Sequence, residues 1–203
     1  MSPEASSALK KAKRDVRARA RMARDAVPDA QRMEVGGQVI ERALTLPEIE
    51  AARTVMVFWS FGSEVPTEPL IAALHERGVR VALPRIEAGR LAPRMYEPGD
   101  PTMPTNFGAR EPLPGAEHAD STHIDVVLTP GLAFDRDCRR VGYGGGFYDR
   151  FFREAAPGAF RAGLAFALQL CDHDLPAGRA DLPVHVVVTE REAVRCSGGP
   201  SPT

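Results

Sequence analysis

The sequence predicts a three-layer α/β/α fold, in which a mostly parallel central sheet is covered by helices and two helices lead the chain. Three observations carry this reading. Residues 53–85 run from the strand-like RTVMVFWS through the helical PLIAALHERG to the strand-like VRVALPR, a β-α-β unit whose strands must be parallel neighbours. Two further β-branched runs, HIDVVLTPG and LPVHVVVTE, recur downstream with a helical segment between them. Finally, 203 residues suit one α/β core better than two small ones. Residues 1–195 therefore read as one domain. The small, polar stretch beyond Val194, taken as a tail over 196–203, is expected to be disordered and to carry no chemistry.

The elements follow in order. Residues 4–24 are rich in Ala, Arg and Lys, good helix formers, and break near Val27-Pro28-Asp29 before a second helix, DAQRMEVGGQVIERAL. After the β-α-β unit, whose helix ends on Gly78, residues 87–123 hold six prolines among short segments. They predict one edge strand and long surface loops. HIDVVLTPG is then a buried strand, LAFDRDCRRVGYGGG a loop, and FYDRFFREA a helix starting near Phe147. FRAGLAFALQL opens with a strand, and LPVHVVVTE is expected to be the last.

Composition narrows the function classes. A formal net charge of -1 argues against a globally basic nucleic-acid binder, although residues 10–24 carry eight Lys or Arg against the single acid Asp15. Most of that charge reads as a solvated face. No apolar run approaches the roughly 20 residues of a membrane helix, and no secretory apolar core leads the chain. Three cysteines, odd in number and without a CxxC pair, predict reduced thiols and a cytoplasmic setting. The five histidines show no metal-ligand spacing.

The chemistry concentrates in RRVGYGGGFYDR, residues 139–150. Glycines 142, 144, 145 and 146 stand after a predicted strand and before a helix, where bare backbone turns N–H groups toward an anion beside the positive helix end. Arg139, Arg140 and Arg150 flank the loop with donors suited to phosphate oxygens, and Asp149 is placed to hold Mg²⁺ bridging phosphates. The stretch lacks the Gly-Lys-Ser/Thr of a Walker A loop, and Phe147 breaks the dinucleotide GxGxxG pattern. A tight structural turn is the competing account.

The longer segment PGLAFDRDCRRVGYGGGFYD, Pro130 to Asp149, resembles the 5-formyltetrahydrofolate cyclo-ligase (methenyltetrahydrofolate synthetase) family, with its PG-hydrophobic-FD motif followed by Arg-Leu-Gly-x-Gly-x-Gly-Tyr-Tyr-Asp. KRDVR at 13–17, SEVPTEPLI at 63–71, NFGAREP at 106–112, GLAFALQ at 163–169 and DLPVHVVVTE at 181–190 resemble further blocks in the same order. The resemblance implies a Rossmann-like fold of the NagB/RpiA/CoA-transferase-like type. It also implies ATP- and Mg²⁺-dependent cyclisation of 5-formyltetrahydrofolate to 5,10-methenyltetrahydrofolate; apart from that resemblance, a monomer is expected.

On that resemblance ATP would be bound by Lys13, Arg17, Arg140, Gly142, Tyr143, Gly144, Gly145, Gly146, Phe147 and Tyr148, with Arg140 and Tyr148 catalytic. Asp149 and Asp181 would hold the metal. Glu64, Tyr143, the glycines and Phe147 would face the folate, Glu64 accepting paired hydrogen bonds from the pterin. Four positions depart from the family pattern: Cys138 for a turn glycine, Phe147 for a tyrosine, Ala180 for a histidine and His185 for an aspartate. Two alternatives stand beside this reading, a same-fold paralogue acting on another formamide-like substrate and a noncatalytic nucleotide- or folate-binding module.

Overall fold

The computed structural model describes residues 2–105 and 108–196. Helix α1 (Pro3–Asp25) starts on a cap in which the Ser2 hydroxyl accepts the Ala5 N–H at 3.2 Å. Next come α2 (Asp29–Ala43) and one helical turn, α3 (Pro47–Glu50), which lies too close to α2 to give a period of its own. The predicted β-α-β unit is present as β1 (Thr54–Met56), α4 (Glu68–Glu76) and β2 (Arg80–Glu87), with β1 and β2 parallel and Val55 opposite Val81.

The edge strand expected between 87 and 123 is β3 (Arg90–Tyr96), antiparallel to β2. The stretch after it is not all loop, since β4 (Thr102–Pro104) and β5 (Arg110–Pro112) pair as a hairpin. Each is three residues long and ends on proline, too short to show an alternation. Asn106 and Phe107 of the NFGAREP block lie outside the described residues.

The buried strand β6 (Val126–Thr129) feeds a second region read as loop that is partly strand. Here β7 (Ala133–Asp135) and β8 (Arg140–Val141) form a hairpin ahead of α5 (Phe147–Glu154). The chain continues through β9 (Phe160–Leu164), β10 (Leu170–Cys171), β11 (Val186–Val188) and β12 (Ala193–Arg195). The main sheet has the order β12-β11-β9-β6-β1-β2-β3, parallel throughout except at its two edge strands. Among the described residues no helix is long and apolar enough to cross a membrane.

Alternation along the strands sends side chains into two cores. Val55, Val81, Leu83, Val126, Leu128, Ala162, Val186 and Val188 face α2 and α4, whose Val39, Ile40, Leu70 and Leu74 complete that layer. Met56, Ala82 and Val127 face the other side, against Phe151 and Phe152 of α5. A parallel sheet buried on both faces reads as near-continuous apolar runs, which is why most of these strands were visible in the sequence. Each fully buried side chain of this kind contributes about 1.5–3 kcal/mol.

The connections at the carboxyl ends of the strands are held by buried polar groups. Asp135, at 2% exposure, accepts the backbone N–H groups of Asp137, Arg139 and Leu175 at 3.1, 2.8 and 2.8 Å. It thereby shapes the turn that delivers Arg140. Gln169 donates to the carbonyls of Gly131 and Leu132, tying the start of the same segment to the turn after β9.

Two sequence expectations are corrected at the chain's end. LPVHVVVTE is not the last strand, because β12 folds back on β11, with Val194 opposite Val187. Arg195, the last residue of the expected domain, is part of that strand and grips Glu48 with two hydrogen bonds of 2.7 and 2.9 Å. Residues 197–203 lie outside the described residues. Cys138 and Cys196 are not reduced thiols but form a disulfide with Cα atoms 5.9 Å apart, leaving Cys171 free. The β11-β12 hairpin returns Cys196 to Cys138, which sits in a turn at φ 58°, the left-handed conformation that favours glycine.

Candidate active site

One pocket of about 170 Å³ lies beside Pro130, just past the carboxyl end of β6, the location at which open α/β sheets bind ligands. It is lined by Lys13, Arg17, Pro130, the run Arg140 to Asp149, and Asp181. The structure therefore brings together residues from the first helix, the glycine loop and the segment before β11, which are far apart in sequence.

Helix α1 supplies one basic edge. Lys13 and Arg17 are four residues apart and share a helical face. Lys13 Nζ forms an ion pair with Asp181, and Arg17 Nε donates to the Gly142 carbonyl at 2.8 Å. The Asp181 carboxylate also accepts the Gly178 N–H, so its orientation is set within its own loop.

The glycine loop is shaped by backbone geometry that side chains resist. Gly144 has φ 109° and Gly146, the N-cap of α5, has φ 63°. No side chain caps α5, whose first-turn N–H groups open toward the loop beside the positive end of the helix. That is an anion-binding arrangement of backbone groups.

Of the three arginines expected to surround the loop, only Arg140 lines the pocket. Arg139 is turned away into contacts with Asp135, Asp137 and Asp174, and Arg150 donates to the Gly89 carbonyl and covers the Phe147 ring at 5.1 Å. Arg140 donates to Asp149 at 3.2 Å and lies over the Tyr148 ring at 5.5 Å, while its buried Nε has no protein partner. A buried guanidinium N–H left free is costly unless a ligand takes it. Asp149 accepts the Leu182 N–H on its other oxygen at 3.0 Å, which joins the start of α5 to the Asp181 segment. Burial pushes the Tyr148 phenol above its usual range, so it stays protonated.

Glu64 lies one hydrogen bond behind the pocket. It is 6% exposed, accepts the Tyr143 hydroxyl at 2.5 Å and takes the Phe61 N–H at 3.0 Å. Burial raises its pKa, against the lowering effect of those two donors. Phe61 leans on the Tyr143 ring at 5.3 Å. The loop carrying both is stiff. Thr67 donates its hydroxyl to the Phe58 carbonyl at 2.7 Å and exchanges hydrogen bonds with Ser60, and Pro66 abuts Gly36 of α2 so closely that a Cβ there would stand 2.6 Å from its ring.

Sequence reasoning missed Arg24, assigning it to a solvated face, whereas it is only 3% exposed. It donates to the Ser63 hydroxyl at 2.9 Å and to the Tyr143 hydroxyl at 3.0 Å. The usable signal was helical spacing, because positions 13, 17 and 24 fall on one stripe. Two of the four departures also find their place. His185 is neutral, its pKa pushed down to about 4 by burial and by Arg161, and its Nδ1 accepts the Arg161 N–H at 3.0 Å. Ala180 enters through its carbonyl, which accepts Arg153 at 2.7 Å.

Comparison with known proteins agrees along nearly the whole chain. The model of the 5-formyltetrahydrofolate cyclo-ligase family matches residues 9–190. The chain is 36% identical over 178 residues to the 5-formyltetrahydrofolate cyclo-ligase of Escherichia coli (strain K12), covering 83% of this chain and 95% of that one. It is 29% identical over 177 residues to the Haemophilus influenzae protein of the same name, covering 85% and 94%. The structure of Aquifex aeolicus 5,10-methenyltetrahydrofolate synthetase superposes with a TM-score of 0.81 at 26% identity, over 94% of this chain and 96% of that one.

Proposed function

The chain belongs to the 5-formyltetrahydrofolate cyclo-ligase family, and from that premise we propose that the pocket beside Pro130 performs the ATP- and Mg²⁺-dependent closure of 5-formyltetrahydrofolate to 5,10-methenyltetrahydrofolate. The chain is a C–N bond-forming ligase whose products, on this reading, include ADP and phosphate. The observation that carries the reading is the convergence of Lys13, Arg17, the glycine loop, Asp149 and Asp181 on one pocket.

The chemistry explains why such a pocket is needed. A formamide carbon is a poor electrophile and its oxygen a poor leaving group. Attack of that oxygen on the γ-phosphorus of ATP releases ADP and leaves a phosphorylated imidate. The neighbouring folate nitrogen then attacks the imidate carbon, and phosphate departs as the ring closes. Positioning and charge neutralisation supply most of the catalysis in such transfers.

The residues divide these tasks. Backbone N–H groups of Gly142 to Gly146 and of the first turn of α5 cradle phosphate oxygens, with Lys13 and Arg17 reaching in from α1. Arg140, backed by the Tyr148 ring, neutralises charge on the transferred group. Asp149 and Asp181 fit a Mg²⁺ ion that arrives with the nucleotide, since two carboxylates in one pocket beside phosphate oxygens are its usual donor set. Among the described residues no group of three or more potential ligands forms a metal site from protein alone. When bound, the ion neutralises phosphate charge. Glu64 accepts the amino and ring N–H donors of the pterin, with Tyr143 and Phe147 bordering the ring.

The test is direct. Mixing the protein with ATP, Mg²⁺ and 5-formyltetrahydrofolate is expected to generate the absorbance of the methenyl product. Absence of any ATP-dependent change at high enzyme concentration overturns the reading.

A further inference from the structure

We propose that Arg24 is a positioning residue for the folate end of the site, its charge carried through the Tyr143 hydroxyl to hold Glu64 as an oriented anion. The proposal rests on the reading that Glu64 binds the pterin.

Arg24 is a buried cation that makes no direct ion pair among the described residues. Buried charges are ordinarily paired, because an uncompensated one is expensive. Here the guanidinium ends on two hydroxyls, with Nε on Ser63 and Nη2 on Tyr143. A hydroxyl carries one proton, so each oxygen that accepts from Arg24 must direct its own proton elsewhere. The Ser63 proton goes to Asp25 and the Tyr143 proton to Glu64. One arginine thus polarises two hydroxyls toward two carboxylates.

The consequence is chemical. A carboxylate as buried as Glu64 gains from protonation unless a cation compensates it, and a protonated Glu64 would present an O–H where the pterin presents N–H donors. Glu64 is faced by Arg24 from α1, Tyr143 from the glycine loop and Tyr148 from α5, while Asp25 accepts the Ser63 hydroxyl and Arg21 stands beside the Tyr143 ring. Burial and the Glu64 charge keep the Tyr143 phenol protonated, so it remains the donor of the pair. Arg21, whose guanidinium stands 5.8 Å from the Tyr143 ring centre, is exposed and is no substitute for a fixed, desolvated charge. Lys13 and Arg24 are separated by roughly 16 Å along the helix at 1.5 Å per residue. Helix α1 therefore serves the nucleotide with one end and the folate with the other.

The experiment is a double-mutant cycle read as separate KM values for the two substrates. Arg24→Met is expected to raise the KM for 5-formyltetrahydrofolate by about tenfold or more while the KM for ATP stays within about twofold. Arg24→Lys, which keeps a charge, restores most of the loss. In a Glu64→Gln background, where no anion remains to be held, Arg24→Met adds nothing further. Equal rises in both KM values, or a full additional loss in the Glu64→Gln background, overturn the proposal. An unchanged folate KM in Glu64→Gln alone overturns the pterin reading beneath it. If Arg24→Met does not fold, Tyr143→Phe cuts the same link with Arg24 in place, and an unchanged folate KM there is equally fatal.

Discussion

Helices α1 and α2 follow one another in the chain, yet they are attached to the molecule by opposite means. Helix α2 is seated by Gly36, Val39, Ile40 and Ala43 against the sheet and α4. Among the described residues helix α1 fully buries one aliphatic side chain, Val16, with Ala20 half-buried beside it, and is held chiefly by Lys13, Arg17 and Arg24 on Asp181, the Gly142 carbonyl and the hydroxyls of Ser63 and Tyr143. A nucleotide does not compete for an apolar seat. The polar attachments of α1 are the groups that phosphate and pterin recruit on the proposed reading. In this light α2 is scaffold, whereas α1 is part of the site and its seating depends on what the site holds.

The largest effect that would break this contrast is sought in α1. Arg17→Ala removes a cation from the pocket and the hydrogen bond to Gly142, and is expected to lower kcat/KM for ATP by roughly a hundredfold. The thermal midpoint should move by no more than about 4 °C, because little apolar surface is lost. A large fall in midpoint with activity retained per folded molecule would make α1 a structural helix like α2.

The second test is the mirror image. Val39 is fully buried between α2 and the sheet, and Val39→Ala removes two methyl groups and leaves a space that packed neighbours fill only in part. It is expected to cost about 2 kcal/mol in urea-induced unfolding while both KM values stay unchanged. A change in KM without loss of stability would deny α2 its scaffold role.

The same contrast explains what was legible in the sequence. Strands β1, β2, β6 and β11 announced themselves because burial on both faces demands apolar, β-branched runs, and the glycine loop because Gly144 and Gly146 hold positive φ angles that glycine adopts most readily. Strands β4, β5, β7, β8 and β12 were not readable as elements, being two or three residues long and defined by pairing partners rather than by period. Arg24 looked like one of eight cations because its burial is produced by Ser63 and Tyr143, which belong to other elements. The Cys138–Cys196 pair was hidden for the same reason, across a sequence separation of 58, and an odd cysteine count did not exclude it. Residues whose role is set by distant partners leave no local pattern.

The smallest expected effect is also the most direct probe of how the two helices are held. Raising salt from 0.1 to 1 M shortens the screening length from about 10 to about 3 Å. The α1 contacts are partly buried, so the weakening is partial, and amide exchange in α1 is expected to speed up by about two- to threefold. Exchange in α2, seated by apolar residues, should hold steady under the same change. Adding ATP and Mg²⁺ is expected to slow α1 again and leave α2 as it was, because bound phosphate gives Lys13 and Arg17 a stronger anion than the groups they hold now. Equal responses of the two helices to both treatments would mean that α1 is seated by packing after all, and that its basic stripe only decorates a helix the fold already holds.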